Sequence, residues 1–91
     1  MGYKALLTLD LKLENEDSSW KRQKIHDYLE GEDWIKVESL PWVWKCSFGD
    51  DIDRNSAIEI CKRDVFKATK IARVHSYNAA VQVGTGEVEE F

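Results

Sequence analysis

The sequence predicts an α+β domain in which a four-stranded antiparallel sheet carries two helices on one face, and three observations predict it. Four segments alternate apolar and polar residues at the two-residue period of a strand. Two stretches between them carry apolar residues at helical spacing. These segments follow one another in the order β, α, β, β, α, β.

Residues 4–13, KALLTLDLKL, set Ala5, Leu7, Leu9, Leu11 and Leu13 on one face and Leu6, Thr8, Asp10 and Lys12 on the other. That is a strand with one greasy side. ENEDSS is a polar connection in which Asp17 or Ser18 can cap a helix from Ser19 to Glu30, stopped by Gly31. Ile25, Tyr28 and Leu29 form its buried stripe, and Lys21, Arg22 and Lys24 point outward. WIKVESLPWVWKCSF, residues 34–48, turns at Ser39, Leu40 and Pro41, because proline cannot donate to a ladder. In the first arm of this hairpin Ile35 and Val37 alternate with Trp34, Lys36 and Glu38. In the second, Trp42, Trp44, Cys46 and Phe48 alternate with Val43, Lys45 and Ser47. GDDIDRNS supplies a turn and cap to a second helix, Arg54 to Thr69, whose apolar side is Ala57, Ile58, Cys61, Val65 and Ala68. KIARVHSYNAAVQVG is extended in character, as one strand or as two broken near Tyr77 and Asn78, the latter giving a short fifth strand.

Right-handed crossovers through both helices resolve this order as a ferredoxin-like βαββαβ unit with strand order 4-1-3-2. Ninety-one residues support one core, so residues 1–84 form a single domain and 85–91 a mobile acidic tail. No apolar run approaches the roughly 18 residues of a membrane span, and the N-terminal residues lack a leader pattern. A soluble, cytoplasmic protein without membrane partners is expected. Cys46 and Cys61 stand apart from any CxxC or paired histidines, which points to buried thiols rather than zinc or a disulfide framework.

Three tryptophans crowd residues 34–48. Trp44 shares the parity of the helix-covered face and belongs to the core, while Trp42 closes one end of it. Trp34 has the opposite parity, and Trp20 starts a helix, so these two reach toward solvent or a partner, together with Tyr77. The open face gathers Leu6, Thr8, Asp10, Val43, Lys45, Ser47, Lys36 and Glu38, with Arg73, His75 and Tyr77 from the last strand. Its central strands offer no aromatic pair, which argues against base stacking of the RNA-recognition type. Asp51, Asp53 and Asn55 have the opening spacing of a calcium loop, but Ser56 and Lys62 occupy positions that need glycine and glutamate, so a helix cap explains them better. No phosphate loop, serine elbow or zinc-protease helix is present, and no catalytic residue is assigned.

The strand TLDL ending in an aspartate, the Trp-rich hairpin and the run KIARVHSYNAAVQV give residues 4–83 a resemblance to a group of small ferredoxin-like proteins. It includes the CRISPR spacer-acquisition endonuclease-like subunit and the GhoS ribonuclease antitoxin. The resemblance implies a homodimer in which Asp10 of each copy holds a divalent metal such as Mg²⁺, and in which the last strand augments the partner's sheet. Leu9 stands where those proteins often carry tyrosine. Two functions from different classes are expected. One is a CRISPR-associated-like nuclease or antitoxin acting on RNA or DNA, with Lys36, Lys45 and Arg73 on phosphate. The other is a non-enzymatic protein-binding module of defence or mobile-element origin, which the net charge of −4 favours over a polyanion binder.

Overall fold

The computed structural model describes residues 2–12 and 19–91. Its elements are β1 (Lys4–Leu11), α1 (Ser19–Gly31), β2 (Ile35–Lys36), β3 (Val43–Ser47), α2 (Arg54–Ile71) and β4 (Tyr77–Gly84). The strands form one antiparallel sheet in the order β2-β3-β1-β4, which is the expected 4-1-3-2 order read from the other edge. Both helices cover one face, giving the ferredoxin-like α+β fold. The caps proposed at Asp17 or Ser18 and the inward Leu13 lie outside the described residues.

The alternation of β1 survives intact: Ala5, Leu7, Leu9 and Leu11 are buried beneath the helices. They meet Ile25 and Leu29 of α1 and Ala57, Cys61, Val65 and Ala68 of α2 in one core, which Trp44 and Cys46 complete from β3. Next to the start of β1, a side chain at Gly2 would collide with the Phe48 carbonyl, so the chain needs glycine there to lie beside the end of β3.

Both helices end in a Schellman motif whose left-handed residue is not glycine. After α1, Trp34 N–H donates to Leu29 C=O and Asp33 N–H to Glu30 C=O, with Asp33 at φ 69°. After α2, Val74 N–H donates to Thr69 C=O and Arg73 N–H to Lys70 C=O, with Arg73 at φ 58°. The stop read at Gly31 therefore falls two residues later, and Gly31 ends the helix with ordinary φ. Lys70 and Ile71 complete α2 instead of opening a strand, and β4 starts only at Tyr77. Among the described residues no fifth strand forms. At the other end of α2, the Asp53 side chain accepts from Ser56 N–H at 2.7 Å, so the acidic cluster does act as a cap.

The largest departure concerns β2. Its register sets Ile35 opposite Lys45 and Lys36 opposite Trp44, the reverse of the expected parity. Trp34, expected on the open face, is 1% exposed and lies in the core. Its indole Nε1 donates to Asp64 Oδ2 of α2 at 3.0 Å, and Asp64 itself is 2% exposed. Turning Trp34 inward supplies a buried carboxylate with a donor, and Ile35 is left 59% exposed on the far side. The polar stripe of α1 is corrected too: Lys21 is buried, and its Nζ reaches the Arg73 carbonyl at the end of α2, 3.4 Å away.

Trp34→Phe removes the donor and keeps an aromatic ring. It is expected to cost about 1–3 kcal/mol, because among the described residues Asp64 then keeps only the Arg63 contact at 3.4 Å. Denaturant unfolding of the two proteins checks this, and equal midpoints would show that the bond is not a determinant of stability.

Candidate functional site

Two surfaces remain once the core is closed, the open face of the sheet and the outer edge of β4. On the open face, cross-strand rows run Ile35–Lys45–Leu6–Gln82 and Val43–Thr8–Ala80, with Asp10 beside Asn78. The acidic C-terminal segment is seated across part of this face. Glu90 accepts from Lys45 Nζ at 2.9 Å and from Ser39 Oγ at 3.4 Å, and Glu87 lies 3.4 Å from Lys4 Nζ. The hydrogen bond from Lys45 is the main reason that the Glu90 carboxyl titrates below the usual carboxylate range. Val88 lines a hollow with Lys4, Ile35 and Lys45.

The cations expected to hold phosphate do not share a surface. Lys45 is on the open face, already opposite Glu90. Lys36 is on the helix side, where its Nζ donates to the Val37 and Leu40 carbonyls at 3.1 and 2.8 Å and closes the hairpin turn. Arg73 is the left-handed cap residue after α2. His75 precedes β4, so Asn78 rather than His75 stands opposite Asp10.

Asp10 is exposed at a shallow hollow lined also by Thr8, Trp42 and Asn78, and its Oδ2 accepts from Lys12 Nζ at 3.0 Å. One carboxylate already paired with an ammonium is a poor donor set for Mg²⁺, which takes oxygen ligands in octahedral geometry. Among the described residues no group of three His, Cys, Asp or Glu side chains is placed to hold a metal ion. A metal at Asp10 would need the carboxylate of a second copy.

Of the proposed contact aromatics, Trp20 is exposed at the start of α1 and Tyr77 is half-buried on β4. Trp34 offers no surface, for the reason given above. Trp42 has φ 51° directly after Pro41, the backbone order of a type II turn, and it packs edge-on to Trp44 and beneath the Arg22 guanidinium. The exposed Phe66 and Ile71 of α2 were not anticipated, because the helical pattern reads Lys-rich around them.

The β4 edge is the more unusual surface. β1 and β4 pair over eight consecutive residues without a bulge. Lys12 N–H donates to Ser76 C=O at 3.0 Å, so even-numbered residues of this strand face β1 and odd-numbered ones turn N–H and C=O outward. Tyr77, Ala79 and Val81 thus turn outward backbone groups that have no partner among the described residues. The outward carbonyl of Val83 is taken by Arg54 Nε at 3.2 Å. Residues 77–84, YNAAVQVG, carry no charge and no proline, the usual means of blunting an edge. Beside this edge Leu7, Cys61, Val65, Tyr77, Ala79 and Val81 line an apolar groove between α2 and β4.

No protein-family model matches this sequence, and no curated protein does. The fold is similar to the crystal structure of protein SP2199 from Streptococcus pneumoniae, at 17% identity and a TM-score of 0.61, over 97% of this chain and 90% of that one. No helix among the described residues is long and apolar enough to cross a membrane.

Both cysteines are free and buried. Burial pushes the Cys46 thiol up to about 11 and the Cys61 thiol up to about 12. A thiol whose folded value lies above its unfolded value of about 8.5 contributes stability that is fully present at neutral pH. That contribution is lost as pH rises past the unfolded value and through the folded one. Native protein at about pH 8 should therefore react with a thiol-specific disulfide reagent far more slowly than denatured protein, and its unfolding midpoint should fall above about pH 9. Equal thiol reactivity in the two states would refute the burial argument.

Proposed function

We propose that this protein is a non-enzymatic protein-binding module whose binding element is the outer edge of β4. The observation that carries the reading is the uncharged strand Tyr77–Gly84, with outward N–H and C=O groups at Tyr77, Ala79 and Val81 beside an apolar groove. A polypeptide strand can satisfy those groups by adding to the sheet, with backbone bonds giving affinity and the groove selecting side chains. The mildly acidic charge suits a protein partner better than a polyanion.

A photoreactive phenylalanine analogue placed at position 79 should form protein adducts in cells, whereas the same group at exposed Lys24 of α1 should not. Absence of any protein adduct at position 79 would remove the reading.

One observation favours a second reading, an RNA- or DNA-binding open face of the antitoxin or nuclease type. Lys4 and Lys45 already hold the tail carboxylates of Glu87 and Glu90 there, in exposed pairs that an incoming phosphate could replace. Asp10 with Mg²⁺ would belong to this reading only in a dimer that joins two such carboxylates. Fluorescence anisotropy with labelled RNA and DNA compares the full chain with a chain ending at Gly84. The second reading expects tighter binding by the shorter chain and a steep loss with added salt. No binding by either chain eliminates it.

A further inference from the structure

Residues 85–91 lie against the open face of the sheet, held there as a ligand is held. We infer that this face is a binding site for acidic peptide segments of other proteins, of the form Glu-aliphatic-x-Glu, and that the chain's own C-terminal segment is its built-in occupant. The surface is separate from the β4 edge, so the inference goes beyond the reading above and does not rest on it.

The sheet supplies the cations. Lys45 stands opposite Leu6 and Lys4 opposite Ser47, so the two ammonium groups are diagonal neighbours across β3 and β1. The rows Ile35–Lys45–Leu6–Gln82 and Ser47–Lys4–Gly84 hold no carboxylate of their own. The C-terminal segment brings them: Glu90 accepts from Lys45 Nζ at 2.9 Å and from Ser39 Oγ at 3.4 Å, and Glu87 lies 3.4 Å from Lys4 Nζ. Val88 enters the hollow beside Ile35, the large apolar residue that the inward turn of Trp34 leaves on this face. Glu89 is exposed. The pattern therefore specifies two acids three residues apart, an aliphatic side chain directly after the first, and a free choice at the third position. A phosphodiester chain can satisfy both ammonium groups, but it has no aliphatic group to set beside Ile35, and that favours a peptide.

The attachment differs from that of a sheet strand. Among the described residues the segment makes no backbone–backbone hydrogen bond to the sheet and is held through its side chains. It leaves β4 over Gly84, Thr85 and Gly86, where a side chain at either glycine would meet nothing within 4 Å. This joint can swing without breaking a packed contact. The entropy of ordering the segment opposes the seated state, and partly exposed ion pairs offset little of it, so the seat opens readily. A tethered occupant competes through its effective concentration, about millimolar for a short flexible linker. The segment thus screens out weak acidic sequences and yields to tighter ones.

The test uses a fluorescent peptide with the sequence of residues 85–91, TGEVEEF, read by anisotropy at low salt. Glu87→Ala together with Glu90→Ala in the full chain removes both carboxylates and frees the face. That double variant should bind the peptide about fivefold or more tightly than wild type, because the tethered competitor is gone. Adding Lys45→Glu should abolish the binding, and adding Lys4→Glu instead should do the same. Serine in place of the peptide's valine should weaken binding several-fold. Added salt should weaken it too, and all variants should keep the wild-type circular dichroism spectrum.

No peptide binding by the double variant, equal binding by wild type and double variant, or binding that survives both lysine reversals would each overturn the inference. Labelled RNA or DNA that binds the double variant while the peptide does not would assign the face to nucleic acid and overturn it as well. None of these results bears on adducts formed from position 79, so the edge reading stands or falls separately.

Discussion

The hydrogen bond from Trp34 to Asp64 joins the end of the first helical unit to the middle of the second across thirty residues of chain. A buried carboxylate without a donor is costly, and the indole N–H is what α1's trailing residue brings to it. Once the indole is turned inward, period-two alternation sends Ile35 outward and Lys36 back toward the helices. The Lys36 ammonium then finds the Val37 and Leu40 carbonyls and braces the turn before Pro41. One contact thus sets the facing of β2 and the anchoring of the hairpin, and it removes Lys36 from the open sheet face.

The same logic explains which parts of the architecture were legible in the sequence. β1 and β3 read correctly, because their burial follows local alternation and nothing distant competes with it. α1 and α2 read correctly along most of their length for the equivalent reason at helical spacing. β2 did not, since Ile35 shares a strand pattern with Val37, which is buried as read, while the partner that turns Trp34 inward, Asp64, lies thirty positions away on an apparently charged helix. The helix ends were hidden in another way. Sequence reasoning looks for glycine at the left-handed position, and here Asp33 and Arg73 occupy it, each held by the paired Schellman bonds and by a buried residue immediately after.

Function was less legible than fold because the candidate residues were gathered by assuming that strand parity carries through every segment. Lys36 failed that assumption at β2. Arg73 and His75 failed it because α2 runs on to Ile71 and the chain needs a turn before β4 begins. What the sequence did offer was an absence of charge from Tyr77 to Gly84. Its meaning depends on knowing that β4 lies outermost and that Arg54 closes the Val83 carbonyl, and both are facts of topology. The tail shows the opposite case, in which a plainly acidic composition is explained once Lys4 and Lys45 are seen beneath it.

The sheet has two margins of very different length: eight residues at β4 and only two at β2. A subunit with long templates on both sides could add neighbours without end and grow into a fibre. Here the short margin offers almost nothing for a further strand to grip. Were β4 to take up a strand, the other border would be too brief to propagate what the first begins.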